Sequence, residues 1–327
     1  MRLTKRQREV LYYIFRYPGM TDTRIASISG IPLATVNNCR RKFFAEGLCR
    51  FINIPNPYYI NMEILYICYI ESEYRDIQVC KKLLRDTDFY VYSDAKRMLI
   101  LGLSRDFSNA EQRVAEIRRA LFEYEGVIIK DRYFPLPLSR IENYFSIHHM
   151  LGRRGEFPTF RKVGAQSINP LELRILKHMV RSPGHSNAQI ARTLCTGTAN
   201  VRRCREEMRA QGIFLPYNAP NLKMLGYRYM IWYDITRSPL INTHWAEKCT
   251  QKIMEQTRHM FFIHSPDMCS LITIVTNQEE IKKEHEKLRD IFVDMKMLHA
   301  KIVPHIISIE KGVCLKNHEY TGIMERV

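Results

Sequence analysis

The sequence predicts an α+β protein made of two tandem copies of one unit, a three-helix domain followed by a small domain of β-α-β-β-α-β order. Three observations predict this fold: an internal repeat, two short basic blocks, and an alternation of apolar residues after each block. The repeat is the clearest, because residues 11–56 align with residues 176–221 without a gap and 15 of these positions are identical.

The positive charge of the chain lies mainly in the two repeated blocks. The formal net charge is +16 over 327 residues. Residues 1–60 hold 10 Lys and Arg against 3 Asp and Glu, and residues 169–225 hold 9 against 3. Basic modules of this kind favour a polyanionic partner, and the expected partner is double-stranded DNA.

The cysteines and the N-terminus favour a cytoplasmic protein. Nine cysteines is an odd number and none forms a CxxC pair, a pattern that fits reduced thiols. The first residues carry charge throughout, and no stretch reaches about 18 uninterrupted apolar residues. We therefore expect neither secretion nor a membrane span.

Each basic block predicts three helices with tight connections. An apolar stripe predicts a first helix over Lys5–Phe15, which a Pro-Gly pair ends. Thr21 and Ser186 are good N-cap residues for the second helix of each copy, and Gly47 and Gly212 end the third. This order is a helix-turn-helix, and the extended segments 48–59 and 213–221 are candidates for a wing. The predicted second and third helices are Asp22–Ile28 and Leu33–Glu46, and Asn187–Leu194 and Thr198–Gln211.

Alternating apolar residues predict the second domain of each copy. The order β-α-β-β-α-β is that of a ferredoxin-like domain. The predicted elements are Leu65–Ile70, Ile77–Leu84, Phe89–Tyr92, Met98–Leu103, Ala110–Phe122 and Val127–Phe134 in the first copy, and Met230–Ile235, Trp245–Met254, Met260–His264, Leu271–Val275, Glu280–Phe292 and Ala300–Ile309 in the second.

These patterns divide the chain into five segments. The Gly- and Arg-rich stretch 151–168 lacks periodicity and is interpreted as a basic linker. Its basic residues are Arg153, Arg154, Arg161 and Lys162. They either follow the DNA backbone between the two modules or belong to a solvent-exposed hinge. The expected domains are a winged helix-turn-helix over 1–60, a ferredoxin-like domain over 61–150, a second helix-turn-helix over 169–225 and a second ferredoxin-like domain over 226–327.

A helix-turn-helix of this size followed by a ferredoxin-like domain resembles the Lrp/AsnC family of transcriptional regulators. The third helix carries that family's Thr-Val pair, central basic residue and closing Gly with an aliphatic residue, as Thr35-Val36, Arg40 and Gly47-Leu48, and as Asn200-Val201, Arg205 and Gly212-Ile213 in the second copy. The resemblance implies a DNA-binding regulator that assembles through its α+β (RAM-like) domains. With both copies in one chain, we expect an intramolecular pseudo-dimer or a homodimer of whole chains. The family's glycine-containing effector loop is not evident in 93–96 or 265–268, so a small-molecule effector has no support.

The third helix of a helix-turn-helix lies in the major groove, and apolar spacing sorts its faces. Val36, Cys39 and Phe43 are expected to face the core, at i, i+3 and i+7. Arg40 and Arg205 share one repeat position and are candidates for docking on phosphate, with a structural ion pair as the alternative. All the candidate DNA contacts are Thr35, Asn37, Asn38, Arg40, Arg41 and Lys42, and Asn200, Arg202, Arg203 and Arg205. Since the two sets differ, the two helices are expected to prefer unlike half-sites.

Two other groups of residues suggest chemistry weakly. Cys39 and Cys204 lie beside the repeated arginines and are redox-sensor candidates, but a role as small core residues is favoured. His259, His264 and Cys269 lie within eleven residues, without a known metal-ligand spacing, so a structural role is again favoured.

Motifs of the common catalytic classes are not evident: there is no GxxxxGK[ST], no GxGxxG after a strand and no GxSxG. We therefore expect no catalysis and no cofactor. The alternative is a siroheme decarboxylase of the alternative haem pathway, because these enzymes also resemble Lrp/AsnC proteins, some with two fused copies, and use histidines of the α+β domain. The second copy offers His259 and His264, where the first has Phe89 and Tyr92 in the equivalent strand.

Overall fold

The computed structural model describes residues 3–73, 76–125, 128–138, 142–145, 168–236, 243–257, 259–264, 268–295 and 300–327. The predicted linker 151–168, with Arg153, Arg154, Arg161 and Lys162, lies outside these ranges except for its last residue. The α+β class is confirmed, with the helix-turn-helix and ferredoxin-like elements present in both copies.

The elements follow in this chain order: α1 (Lys5–Arg16), α2 (Asp22–Ser29), α3 (Leu33–Ala45), β1 (Cys49–Pro55), a 3₁₀ helix (Pro57–Ile60), β2 (Ile64–Ser72), α4 (Ile77–Leu83), β3 (Asp88–Ser93), β4 (Arg97–Ser104), α5 (Phe107–Glu125), β5 (Ile128–Pro137), β6 (Glu142–Phe145), α6 (Pro170–Arg181), α7 (Asn187–Leu194), α8 (Thr198–Ala210), β7 (Phe214–Pro220), β8 (Tyr229–Thr236), α9 (Thr243–Gln256), β9 (His259–His264), β10 (Met268–Val275), α10 (Gln278–Asp294), β11 (Lys301–Ser308), β12 (Val313–Asn317) and α11 (Thr321–Glu325).

Local hydrogen bonds set the ends of the helices in both basic blocks. Thr4 and Asn169 each form a capping box, at the starts of α1 and α6. Thr21 and Ser186 accept a backbone hydrogen bond at the starts of α2 and α7, as the sequence predicts. Gly30 ends α2 with a left-handed φ of 69°, a conformation that glycine adopts without steric cost.

The extended segments after the third helices do not form separate hairpin wings. Strands β1 and β7 instead pair with each other in a two-stranded sheet. The backbone N–H of Asn56 donates to the carbonyl of Ile213 (2.8 Å), and the Asn56 side chain donates to the carbonyl of Gly212 (2.9 Å). Pairing of equivalent strands from the two copies could not be read from either copy alone.

Each ferredoxin-like domain forms an antiparallel sheet that takes a fifth strand from the other copy. The first sheet has the order β12-β3-β4-β2-β5, and the second has the order β11-β8-β10-β9-β6. Strand β12 follows the second domain along the chain but pairs with β3 of the first. Strand β6 follows the first domain but pairs with β9 of the second. The two copies therefore exchange their last strands.

The chain divides into two compact units, and each unit combines parts of both copies. Unit 1 comprises residues 1–50, 140–159 and 220–311, and unit 2 comprises residues 51–139, 160–219 and 312–327. Unit 2 thus holds the first ferredoxin-like domain, the second helix-turn-helix and the strand and helix that follow the second domain. The domain limits expected from the sequence remain predictions.

One face of each sheet packs on two helices. In unit 2, the core lies between β2, β3 and β4 and the helices α4 and α5, with Cys68, Ile100 and Ile117 among its fully buried residues. In unit 1, the equivalent core lies between β8, β9 and β10 and the helices α9 and α10, with Ile231 and Leu288 fully buried. Among the described residues, no helix combines the length and the apolar character that crossing a membrane requires.

We predict that Gly102→Ala destabilises the first ferredoxin-like sheet. A Cβ at this position would lie 2.1 Å from the ring of Tyr66, so the buried ring must move. The free energy of unfolding should fall by about 1–3 kcal/mol, measured by urea denaturation. Gly184→Ala is the control, because a Cβ there meets nothing within 4 Å. Equal effects of the two changes would contradict the close packing of Tyr66.

Candidate functional site

A cavity of about 610 Å³ opens at one end of the first ferredoxin-like domain, within unit 2. Its lining includes the side chains of four arginines and one carboxylate, that of Glu116. The arginines are Arg85, Arg105, Arg113 and Arg326. Neutral hydrogen-bonding side chains complete its polar wall, namely Tyr66, Thr87, Ser104, Asn109 and Gln112. The cavity is therefore cationic and rich in hydrogen-bond donors.

The cavity residues come from five places in the chain that the fold brings together. Strand β2 contributes Tyr66, and the connection from α4 to β3 contributes Arg85. The turn after β4 contributes Arg105, the first half of α5 contributes Arg113, and the C-terminal segment contributes Arg326. The N-terminus of α5 is itself closed, because the carboxylate of Asp106 accepts the backbone N–H of Asn109 (2.7 Å).

A buried ion pair between Asp88 and Arg113 forms the inner wall. Asp88 is fully buried and Arg113 is 6% exposed. The guanidinium of Arg113 donates to both carboxylate oxygens of Asp88, at 2.6 Å and 3.2 Å, and to the carbonyl of Leu83 at 2.6 Å. The hydroxyl of Tyr66 (2.6 Å) and the backbone N–H of Arg85 (2.8 Å) also donate to Asp88. A buried charge pair is stable only when its hydrogen-bonding capacity is satisfied in this way.

This network sets the ionisation of its members. Burial raises the pKa of Tyr66 well above its usual value, and the charge of Asp88 raises it further. Burial alone would lower the pKa of Arg113, but the hydrogen bonds and charge of Asp88 outweigh burial and raise it. The phenol of Tyr66 is therefore neutral and the guanidinium is charged throughout the physiological range.

The other three arginines have no buried partner: Arg105 donates to the backbone carbonyl of Arg326 (2.5 Å), and Arg85 and Arg326 form exposed ion pairs. Arg85 and Arg326 are about half exposed, at 48% and 52% of the side chain. Arg85 lies 3.8 Å from Glu116, and Arg326 lies 3.2 Å from Asp86. Exposed ion pairs of this kind contribute roughly 0–1 kcal/mol, so an anionic ligand can replace them at little cost.

The second copy lacks this cavity lining. Its strands and helices repeat those of the first copy at a spacing of 171 residues from β3 onward, as Asp88 and His259 at the starts of β3 and β9 illustrate. At this spacing, Gln256, Thr276 and Glu284 stand where the first copy has Arg85, Arg105 and Arg113. The two copies therefore keep the same apolar frame but differ in the charges at this site. An alignment of the two ferredoxin-like domains with each other, made from the sequence alone, would have revealed this difference in charge.

Most of the predicted DNA-contacting side chains are exposed, and Thr35 is half-buried. Arg41 donates to Asn38 (3.3 Å), and Arg202 pairs with Glu206 (3.0 Å) along α8. The exposed members of the set are Asn37, Asn38, Arg41, Lys42, Asn200, Arg202 and Arg203. Their role in DNA binding remains a prediction.

Arg40 and Arg205 are engaged within their own helix-turn-helix domains. Arg40 forms an ion pair with Asp22, and it donates to the carbonyl of Met20 (2.8 Å). Arg205 donates to Asn187 (2.6 Å), and burial lowers its pKa. Both bonds join the third helix to the start of the second helix, which favours the structural alternative for this repeated arginine.

The other candidate groups also fit structural roles. Cys39 and Cys204 are buried, and burial raises the pKa of both thiols, which disfavours a reactive thiolate. His259 is fully buried beside the hydroxyl of Thr257 (3.2 Å). The described residues contain no group of three or more metal-ligating side chains. The side chain of His264 lies outside the described part of the chain.

The strand register shows which positions match the histidines of β9 in the equivalent strand, β3. Asp88 pairs with Gly102 in the first sheet, and His259 pairs with Thr273 in the second. His259 is thus equivalent to Asp88 and His264 to Ser93, whereas Phe89 and Tyr92 lie in the same strand at other positions. The sequence alignment misses this because the inserted residues between β8 and β9 shift the repeat from 165 to 171 residues.

Solved structures of one enzyme match this chain over its whole length. Siroheme decarboxylase NirDL matches with a TM-score of 0.58 and 11% identity, covering 98% of this chain and 96% of that one. NirDL in complex with an iron-uroporphyrin III analogue matches with a TM-score of 0.55 and 12% identity, covering 97% and 95%. An AsnC family transcriptional regulator from Agrobacterium tumefaciens matches 41% of this chain, with 14% identity and a TM-score of 0.31. No protein-family model and no curated protein matches the sequence.

The comparison corrects one expectation and supports another in part. The expectation that the chain is not an enzyme is contradicted, because the solved structures that match its full length are those of an enzyme. The Lrp/AsnC-like fold expected from the resemblance is confirmed, since both copies carry the helix-turn-helix and the ferredoxin-like elements. An identity as a regulator does not follow. No sequence motif marks this cavity, because its lining side chains are scattered over the chain.

We predict that Asp88→Asn lowers the free energy of unfolding by about 3–5 kcal/mol, because it leaves the buried guanidinium of Arg113 without a counter-charge. Thermal and urea denaturation measure the effect. Asp131→Asn is the matched control. Asp131 forms a partly exposed ion pair (2.5 Å) with Arg118, which lies on the same helix as Arg113. The control should change the free energy by less than about 1 kcal/mol. A small effect of Asp88→Asn would mean that the pair does not hold the inner wall.

Proposed function

We propose that this chain binds a tetrapyrrole with carboxylate side chains in the arginine-lined cavity of unit 2 and removes CO₂ from such side chains. The observation that carries the proposal is this cationic cavity, in a chain whose fold matches a siroheme decarboxylase over its full length.

The chemistry of the cavity suits a ligand with several carboxylates. Guanidinium groups bind carboxylates through two parallel charge-assisted hydrogen bonds, which fix orientation as well as charge. Arg85 and Arg105 belong to separate connections of the first domain and both line the cavity, so two carboxylates of one ligand can each have a guanidinium as partner. The amides of Asn109 and Gln112 add neutral donors beside them. The inner pair of Asp88 and Arg113 provides the fixed wall behind these residues.

In the proposed reaction, the bond between a methylene carbon and its carboxylate carbon breaks and CO₂ leaves. The bonding electron pair stays on the methylene carbon, where the adjoining pyrrole delocalises it, and a proton then replaces the carboxylate. The arginines would bind the carboxylates that are retained and so hold the macrocycle in one position, which is the positioning component of catalysis.

We predict that the purified chain, incubated with siroheme without oxygen, gives a product that has lost CO₂, detected by mass spectrometry. The double variant Arg85→Gln, Arg105→Gln should raise KM at least about tenfold, because it removes two charge-assisted contacts. Arg118→Gln is the control, since Arg118 pairs with Asp131 and does not line the cavity.

The absence of CO₂ loss and of any absorbance change when siroheme is added would overturn the proposal. Activity that is equal in the double variant and the wild type would move the reaction away from this cavity.

A second candidate function is binding of duplex DNA by the helix-turn-helix domains. The observation that favours it is the set of exposed Asn and Arg side chains on α3 and α8. We predict that Asn38→Ala and Arg203→Ala each weaken binding to a selected duplex by about 1–3 kcal/mol, in a gel-retardation assay. Arg24→Ala is the control, because Arg24 lies on α2 and is exposed. If the wild-type chain retards no duplex at low salt, this second function is excluded.

A further inference from the structure

The second copy contributes a cation to the cavity of the first domain through its C-terminal segment, residues 313–326. Strand β12 of this segment pairs with β3, with Cys314 opposite Tyr92 and Asn317 opposite Tyr90. The next helix, α11, packs on α6, and Glu325 forms an ion pair with Arg181 (2.8 Å). The segment therefore contacts two parts of unit 2, the edge strand β3 and the helix α6.

Close packing holds the C-terminal segment, residues 313–326, against the first ferredoxin-like domain. Tyr320 is buried and stacks on Phe89, with ring centroids 5.0 Å apart. Gly322 lies directly against Asp86, since a Cβ at Gly322 would be 2.6 Å from the Asp86 side chain. Arg326 follows one helical turn later, so the close approach of Gly322 to Asp86 lies next to the ion pair between Asp86 and Arg326.

Two contacts hold Arg326 at the cavity. Its guanidinium donates to the carboxylate of Asp86 (3.2 Å), and its backbone carbonyl accepts a hydrogen bond from Arg105 (2.5 Å). Its side chain lines the cavity and remains half exposed. Because the pair with Asp86 is exposed, a ligand carboxylate can compete with Asp86 for the guanidinium.

The second ferredoxin-like domain does not repeat the arginines of this cavity. At the spacing of 171 residues, it has Gln256, Thr276 and Glu284 where the first domain has Arg85, Arg105 and Arg113. Arg113 is already saturated by Asp88 and Leu83, so the cations of the cavity that have no buried partner are Arg85, Arg105 and Arg326.

We propose that Arg326 is a specificity-determining residue that makes the cavity select tetrapyrroles by their number of carboxylates. It supplies a further exposed guanidinium beside Arg85 and Arg105, so a ligand must carry at least three carboxylates on the side that enters the cavity to engage all three. This inference rests on the proposed function. It assigns to Arg326 the recognition of a retained carboxylate and no role in breaking the bond.

The test compares an octacarboxylate with a tetracarboxylate on the full chain. Binding of metal-free uroporphyrin and coproporphyrin is measured by porphyrin fluorescence titration for the wild type, Arg326→Gln and Arg326→Lys. Arg326→Gln should weaken uroporphyrin binding roughly threefold to tenfold and leave coproporphyrin binding within about twofold. Coproporphyrin carries one carboxylate on each pyrrole where uroporphyrin carries two, so the side that enters the cavity offers too few carboxylates to engage a third arginine. Arg326→Lys should restore part of the preference, since it keeps the charge without the planar fork.

Arg181→Gln is the control for docking of the segment. It removes the ion pair to Glu325 on α11 but no group of the cavity lining, so the ratio of the two affinities should not change. With siroheme as substrate, Arg326→Gln should raise KM and leave kcat unchanged.

The outcomes separate this inference from the proposed function. If the wild type binds neither porphyrin and does not turn over siroheme, the proposed function fails. If the wild type binds porphyrin but Arg326→Gln has the wild-type affinities, or weakens both porphyrins equally, the role of Arg326 is overturned while the proposed function stands.

Discussion

The structure depends on how one edge of each ferredoxin-like sheet, formed by β3 or by β9, is covered. A β-α-β-β-α-β domain leaves the backbone groups along one side of β3, or of β9, without a partner strand, and such edges must be paired or protected. Here β12 pairs with β3 and β6 pairs with β9. Each edge is thus covered by the strand that follows the other copy. Because this exchange is reciprocal, neither sheet is complete with the residues of one copy, and each compact unit includes both.

The exchange also explains how one cavity draws on residues far apart in the chain. Pairing of β12 with β3 brings the following turn and α11 against the connection that carries Arg85 and Asp86. Tyr320 and Gly322 pack there, and Arg326 reaches the cavity. On the inner side, the buried pair of Asp88 and Arg113 ties β3 to α5. The charge of Arg113 is therefore buried and compensated, whereas Arg85 and Arg326 are exposed and form exposed ion pairs.

The two copies have kept their frame and changed their chemistry. The caps, the closing glycines of the third helices and the core positions recur at fixed spacing, because they set backbone conformation and packing. The polar positions at the site have changed, from Asp88 to His259 and from Arg113 to Glu284. A buried ion pair can be lost only if both partners change together, since either charge alone would be left uncompensated. The divergence at both positions is consistent with that constraint, and it gives the two ferredoxin-like domains different charges at equivalent positions.

The sequence by itself determined the repeat, the helix-turn-helix and the order of strands and helices, since these depend on local patterns. Thr21 and Ser186 cap helices and apolar alternation marks strands, whichever residues lie far away in the chain. Only the tertiary structure decided that β6 and β12 each pair with the sheet of the other copy and that β1 pairs with β7. It also decided that Arg326 lines the same cavity as Arg85 and Arg105. These features depend on contacts between segments up to some 240 residues apart, as between Asp86 and Arg326. Local residue patterns carry no signal for such contacts, because an arginine at a cavity and an arginine on a solvated surface look alike in sequence.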